Sequence, residues 1–278
     1  MAAGALYVVS TPIGNLQDIT LRAIEVLGQV DLIAAEDTRH SRKLLERHGL
    51  TTPMVAVHEH NEAEQASSLV GRMLSGESIA LISDAGTPLL SDPGFRLVQA
   101  AAQAGIAVSP VPGASAITAA LCVSALPTDR FAFEGFLPAK PVARRKRLAE
   151  LADEPRTLVL FESSHRIVAA VKDLAEAFGP SRSVALCREL TKQFETILRG
   201  SLQAVARRVE DEKVQQKGEF VVVVSGHETK AEESEGEGLR LAQALLEYLP
   251  ASQAAKVAAK ITGASRRALY QAVGKSDT

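Results

Sequence analysis

Five short runs rich in Val, Ile and Leu recur through the first 125 residues, and each is followed by a longer helix-periodic stretch. The runs are Leu6 to Thr11, Val30 to Ala35, Met54 to Val57, Ile79 to Ser83 and Ile106 to Val111; between them lie Asp18 to Leu27, Ser41 to Arg47, Glu62 to Leu74 and Gly94 to Ala104. Parallel neighbours need a crossover long enough to return the chain to the same edge, and a helix supplies it. The alternation therefore predicts a parallel α/β domain over residues 1–125. Beyond Leu126 strand-like runs dominate, at Phe131 to Phe136, Thr157 to Glu162, Val184 to Arg188, Glu195 to Arg199 and Phe220 to Val224. Two helices, near Val142 to Leu151 and His165 to Phe178, stand among them, which predicts a mixed α/β domain over 126–226.

Residues 97–128 hold no charged side chain, but Gly105, Pro110, Pro112, Gly113 and Pro127 interrupt them, so they read as buried helix, strand, turn and helix and not as a membrane span. The acidic stretch 227–238 reads as a linker. After it, Leu239 to Leu249, Ala251 to Ile261 and Ser265 to Val273 read as short helices with Gly263 at the last turn, so 239–278 is expected to be helical and helix-turn-helix-like. A small dimerisation bundle has the same signature.

The composition, with 46% hydrophobic and 23% charged residues in 278, excludes global disorder and a collagen-like fibre. The net charge of −2 conceals an uneven distribution: residues 139–149 carry five cations and no acid, and 239–278 carry six cations against two acids. An acidic body with two basic patches suits an anionic partner, although a solvated helix face accounts for either patch alone. Cys122 and Cys187 stand apart in apolar runs, giving neither a disulfide framework nor a zinc site, and His58 and His60 lack a supporting cluster, so no metal is expected. The opening MAAGALYVV has no basic segment before its apolar run; no signal peptide, no membrane and a cytoplasmic location are the expectation.

The strand ends carry the chemistry. Ser10-Thr11-Pro12-Ile13-Gly14-Asn15 follows the first strand, Glu36-Asp37-Thr38-Arg39-His40 the second, Ser83-Asp84-Ala85-Gly86-Thr87-Pro88 the fourth and Pro112-Gly113-Ala114-Ser115-Ala116 the fifth. Open α/β sheets bind ligands at the carboxyl ends of their strands. No GxGxxG and no GxxxxGK[ST] occurs, which removes the usual support for hydride transfer and P-loop chemistry. Thr38 or a neighbouring acid can cap the second helix, yet two acids, an Arg and a His at one strand end exceed what a cap needs.

STPIGN, AAEDTRHS, LISDAGTPLLSDPG and VPGASA occur in this order, followed by DRFAFEGFLP, LVLFESSHR, ALCRELTK and KGEFVVVV. The set resembles the tetrapyrrole methylase superfamily of S-adenosylmethionine (SAM) enzymes, and within it the RNA-modifying members. The resemblance implies two α/β domains with SAM in the cleft between them, a homodimer, and 2'-O-methylation of a cytidine in the decoding region of 16S ribosomal RNA, on the naked RNA or the assembled 30S subunit. Carried over by position, the cofactor-binding residues would be Pro12, Asp84, Ala85, Gly86, Ser115, Ala116, Glu162 and Leu190. TPIGN replaces the GPGD-like first loop of the tetrapyrrole-modifying members, which disfavours a tetrapyrrole substrate.

A ribose hydroxyl is a poor nucleophile near neutral pH, so a base or an alkoxide-stabilising cation is needed. Asp37 or Glu189 is expected as the proton acceptor, with Arg39 and Lys192 placing phosphate or alkoxide. His165 and Arg166, following Glu162, suit either RNA contact or a solvated helix start. A tetrapyrrole methylase and a catalytically silent RNA-binding protein are the competing readings; the intact DAGTP and VPGASA loops argue against the second.

Overall fold

A computed structural model describes residues 4–58, 60–227 and 230–274. In the first half the strands are β1 (Ala5–Val9), β2 (Leu32–Ala35), β3 (Met54–Ala56), β4 (Ile79–Ile82) and β5 (Ala107–Val111). The helices are α1 (Leu21–Gln29), α2 (Thr38–Arg47), α3 (Glu62–Leu74), α4 (Phe95–Gln103) and α5 (Ala116–Ser124). The strands form one parallel sheet in the order β3-β2-β4-β1-β5. This order sets β4, β1 and β5 side by side, so the loops at their carboxyl ends share one rim. Alternate residues feed two cores: Leu32, Ala34, Ile79 and Leu81 face one side with Leu69, Met73 and Leu97, while Ile33, Ala35, Ala80 and Ile82 face the other with Ala23 and Leu27. Strands covered on both faces have no polar side to show, which is why their runs are continuously apolar.

The second sheet comprises β6 (Phe131–Phe136), β7 (Thr157–Ser163), β8 (Ser183–Arg188), β9 (Thr196–Ser201) and β10 (Glu219–Val224), with helices α6 (Pro141–Leu151), α7 (Ile167–Phe178) and α8 (Leu202–Asp211). Its order is β6-β7-β10-β8-β9, parallel only between β6 and β7. Helix α8 is a third helix where the sequence suggested two. Its signals are plain in retrospect: Ser201 caps it by accepting the Ala204 N–H at 3.2 Å, and Leu202, Val205 and Val209 bury one stripe. The uncharged stretch 97–128 is explained by α5, whose Ile117, Ala120 and Leu121 pack on Val159, Ala185, Cys187, Val221 and Val223 of this sheet. Both sheets lie in one compact unit.

A second unit holds Ala152–Arg156 and the chain after Ser225. Here the expected linker is corrected, because α9 (Lys230–Leu245) runs through most of it and is followed by α10 (Ala251–Thr262) and α11 (Arg266–Val273). Gly238, which reads as a linker residue, is a crossing point: a Cβ there would lie 2.8 Å from Ala264 Cβ and 2.9 Å from Thr262 Oγ1. Ala242, Ala255, Ala258, Leu269 and Val273 form the core of these three helices. Gly263, at φ +79°, caps α10, and Ser265 opens α11 by accepting the Ala268 N–H. Lys275, part of the expected basic patch, lies outside the described residues.

The basic patch at 139–149 proves to be partly internal. Arg144 is buried on α6 and donates from Nε to Asp173 of α7 at 2.7 Å, while Arg147 pairs with Glu134 at 2.6 Å and Glu150 at 3.0 Å. Removing Arg144 leaves the buried Asp173 carboxylate with only the half-exposed Arg145, 3.8 Å away, in compensation. Arg144→Ala is therefore expected to lower unfolding free energy by about 3–5 kcal/mol, with most of that loss recovered in Arg144→Met/Asp173→Leu. Urea denaturation of the three proteins checks this; equal stability of the wild type and Arg144→Ala would remove the pair from the account.

Candidate active site

Three strand-end loops are joined by hydrogen bonds across the rim. Thr11 and Gly86 exchange backbone bonds of 2.8 and 3.0 Å, and the Thr11 hydroxyl donates to the Ser83 carbonyl at 3.2 Å. The Thr87 hydroxyl donates to the Ala114 carbonyl at 3.2 Å, and since that uses its one proton, Ser10 is the donor in the 2.9 Å Ser10–Thr87 contact. Gly86 holds φ +80°, a left-handed conformation in which a side chain would be strained, and a Cβ there would lie 3.3 Å from Ile13 Cγ2.

Beside these loops lies a cavity of about 490 Å³ whose far wall comes from β7, β8 and β10. Of the expected cofactor residues, Ala85, Gly86, Ser115, Ala116, Glu162 and Leu190 line it, as does Lys192. Pro12 and Asp84 do not; they line an adjoining pocket of about 270 Å³ that shares Ile13, Ala85, Lys192 and Glu219 with the first. Glu162 is buried and its Oε1 is taken by the Ser163 N–H at 2.7 Å and Arg166 at 2.8 Å, whereas its Oε2 is buried without a partner. A buried carboxylate oxygen lacking a donor is costly, so this atom is poised to accept a hydrogen bond from a ligand. Arg166 serves as its counter-ion and is not a free RNA contact; His165 is exposed at the cavity wall. Cys187 lies in the same wall, and burial pushes its thiol up to about 12, so it is a neutral apolar surface there.

Asp37 and Arg39 are not brought to the cavity. Asp37 is the N-cap of α2, accepting the Arg39 N–H at 2.8 Å, and the two side chains form a fork with a contact of 2.9 Å. That hydrogen bond from Arg39 holds the Asp37 carboxyl well below the usual range, which suits a cap and makes a weak base. Asp84 instead ties strands together: its Oδ1 accepts the Asp37 N–H at 3.0 Å and its own N–H donates to Glu36 at 3.2 Å. Burial raises the Glu36 carboxyl above its ordinary value, with Asp84 and Asp37 adding repulsion.

Glu189 and Lys192 do meet. Lys192 Nζ donates to Glu189 at 3.0 Å and to Glu219 at 2.6 Å, while Glu189 also accepts the Glu219 N–H at 2.9 Å. Burial works against charge on both, but the mutual bonds prevail, raising the lysine and lowering Glu189. The lysine stem crosses Gly14 so closely that a Cβ there would stand 2.4 Å from Lys192 Cγ. Among the described residues, five non-glycine positions have left-handed φ; four of them lie just before cavity-wall residues, Leu89 and Ser91 before Asp92, and Glu189 and Thr191 before Lys192. Such conformations cost about 1 kcal/mol or more each and persist where the surroundings enforce them.

Residues 5–206 match the family model for tetrapyrrole (corrin/porphyrin) methylases, and 232–274 match the RsmI C-terminal HTH domain. The proteins named ribosomal RNA small subunit methyltransferase I in Xylella fastidiosa (strain Temecula1) and Pseudomonas aeruginosa are 55% and 51% identical, covering 96% and 98% of this chain and 98% and 97% of their own. The chain belongs to the tetrapyrrole methylases, in the ribosomal RNA small subunit methyltransferase I family. Among solved structures, uroporphyrin-III C-methyltransferase from Thermus thermophilus, complexed with S-adenyl homocysteine, is 20% identical with a TM-score of 0.54 over 80% of this chain and 97% of that one. Diphthine synthase is 17% identical with a TM-score of 0.59 over 80% and 90%. At these identities the likeness speaks for the methylase fold.

Within this methyltransferase I family member, sequence reading passed over Asp92, Glu219 and Ile13. Asp92 lies within LLSDPG and Glu219 within KGEFVVVV, but nothing in a single sequence says which acid turns inward. Burial pushes the Asp92 carboxyl up to about 6, a hydrogen bond from Ser83 opposes, and the charges of Glu36 and Asp84 add to the rise. The folded chain thus holds this proton more tightly than the unfolded chain, whose Asp titrates near ~3.9, and the stability this provides is lost as pH climbs through about 6. Asp92→Asn should melt higher than wild type above pH 6, with the gain vanishing below pH 4. A melting-temperature difference independent of pH would show that Asp92 is not raised.

Proposed function

We propose that the chain transfers the methyl group of SAM to small-subunit ribosomal RNA, at the ribose 2'-hydroxyl of a cytidine, acting in the cytoplasm as a homodimer on the RNA or the 30S subunit. The observation that carries this reading is the end-to-end identity, over 96% or more of the chain, with enzymes named ribosomal RNA small subunit methyltransferase I. The cavity fits the cofactor. Its small-residue wall at Ala85–Gly86 and Ser115–Ala116 admits backbone contact with a flat group, and the unpartnered Glu162 Oε2 would accept from an ammonium or a ribose hydroxyl. Bound there, SAM supplies a methyl on a sulfonium whose positive charge disappears as the methyl leaves.

The protein's own contribution is alignment and charge. Glu162 and the loop backbones would hold the donor, and close orientation alone removes several kcal/mol of barrier. Lys192 is kept protonated by Glu189 and Glu219, so it acts as a fixed cation beside the alkoxide that develops and not as a base. Asp92 would take the hydroxyl proton, since a carboxyl near 6 combines an ionised form at pH 7 with useful basicity. Asp37 and Arg39 remain in this reading only as the cap that sets the start of α2.

Lys192→Met keeps the stem over Gly14 and removes the charge. Its single-turnover methyl transfer should fall by roughly two orders of magnitude with SAM affinity nearly unchanged. Mass-spectrometric mapping of unmethylated 16S RNA incubated with the wild-type chain and SAM should find one ribose methyl. The same mapping is done on 30S subunits assembled from that RNA; a methyl on a base, or none on either substrate, would contradict the reading.

A further inference from the structure

Helix α2 carries Arg39, Arg42, Lys43 and Arg47 against one acid, Glu46. Its core side is held by Leu44 and Leu45, leaving all four cations exposed. Arg39 is tied to Asp37, whereas Arg42, Lys43 and Arg47 form no ion pair among the described residues. Positions 39, 43 and 47 recur every four residues, so they form one stripe along the helix. This is unlike α6, where Arg144 and Arg147 are committed to carboxylates.

The stripe runs beside the first loop. Lys43 and His40 line the 270 Å³ pocket with Pro12 and Ile13, and Arg47 and His48 line an open groove of about 780 Å³ with Gln17 and Gln193. The two depressions share Gly14, Leu16 and Lys192, and Lys192 also lines the donor cavity. Two side-chain atoms of the groove residues, His48 Nε2 and Thr191 Oγ1, are buried without hydrogen-bond partners. Groups of this kind suit a ligand carrying both anionic oxygens and hydroxyls.

We propose that the α2 stripe and the first loop form the track on which the RNA strand lies, with Lys43 and Arg47 holding backbone phosphates next to the nucleotide presented at Lys192. This rests on the RNA-methylating reading and names the substrate-binding surface for it. Phosphate contacts fix register without reading sequence, so the track positions the acceptor while its selection lies elsewhere. The groove is open and most of its lining residues carry polar side chains, among them Asn15, Gln17, Arg47 and Gln193, which suits a flexible single strand better than a globular protein surface.

The test is RNA binding against salt concentration with unmodified 16S RNA transcribed in vitro, using the full chain. Lys43→Ala/Arg47→Ala should weaken binding at least tenfold at low salt and reduce the slope of log K against log salt by about 1.4, at ~0.7 per cation on a single strand. The charge-conserving Lys43→Arg/Arg47→Lys should keep the wild-type slope, and SAM affinity by calorimetry should be the same in all three proteins. Wild-type RNA affinity and slope in the double alanine variant would overturn the track, as would loss of SAM binding, which would mark the residues as structural. Methyl transfer by the wild type is measured separately on the RNA and on 30S subunits assembled from it: RNA bound with normal salt dependence but neither substrate methylated would refute the catalytic reading and still leave the track decided by the slopes.

Discussion

The hydroxyl relay from Ser10 through Thr87 to the Ala114 carbonyl, together with the paired backbone bonds of Thr11 and Gly86, is the constraint on which the site depends. Three loops from three strands have no reason to adopt one arrangement unless something joins them. The strand order supplies adjacency, because β4, β1 and β5 are neighbours, and the relay converts adjacency into a fixed rim. Small residues are required there for a physical reason: Gly113 would place a Cβ 3.0 Å from Ser10 Cβ, and Gly86 sits where a side chain is strained. The polar groups the relay uses are Ser and Thr, which add hydrogen bonds without adding bulk.

Charge is arranged around that rim by partnership and burial. Asp37 and Arg39 satisfy each other at a helix start, Arg144 and Asp173 do so between helices, and both pairs are explained without function. Lys192 differs because its two carboxylate partners keep it ionised while its stem closes over Gly14, so the cation is both fixed and forced to face the pockets it borders. Asp92 differs in the other direction: burial and the neighbouring acids oppose its charge and bring it near neutrality. Left-handed backbone at Leu89 and Ser91 before Asp92, and at Glu189 and Thr191 before Lys192, shows that the loops are held in place at a conformational cost.

The parallel sheet was legible because its strands are apolar on both faces and separated by helix-length crossovers. Most of the positions that the resemblance assigns to a cofactor line one cavity. What could not be read was partnership. A run such as AKPVARRKRLA looks like one basic face until Asp173 and Glu134 are seen to neutralise part of it. The same holds for Asp37: a cap and a base share one residue type, and the structure shows Asp37 capping α2. The acidic stretch 227–238 reads as a linker because it is acidic and poor in apolar residues, whereas α9 runs through most of it and Gly238 permits a close helix approach. Of the α2 cations only Arg39 stands out in the sequence, beside Glu36 and Asp37; Arg42, Lys43 and Arg47 are diluted within a short helix, and the stripe of 39, 43 and 47 emerges only at a spacing of four.

The Ser10–Thr87–Ala114 relay shapes the rim of the cavity proposed for SAM. Thr87→Val is nearly isosteric and removes the hydroxyl while leaving the sheet intact, so calorimetric titration with SAM tests the claim directly. Loss of one or two hydrogen bonds of about 1 kcal/mol each from the rim should weaken SAM binding roughly tenfold, with melting temperature lowered only slightly. SAM affinity equal to wild type in the folded variant would contradict it.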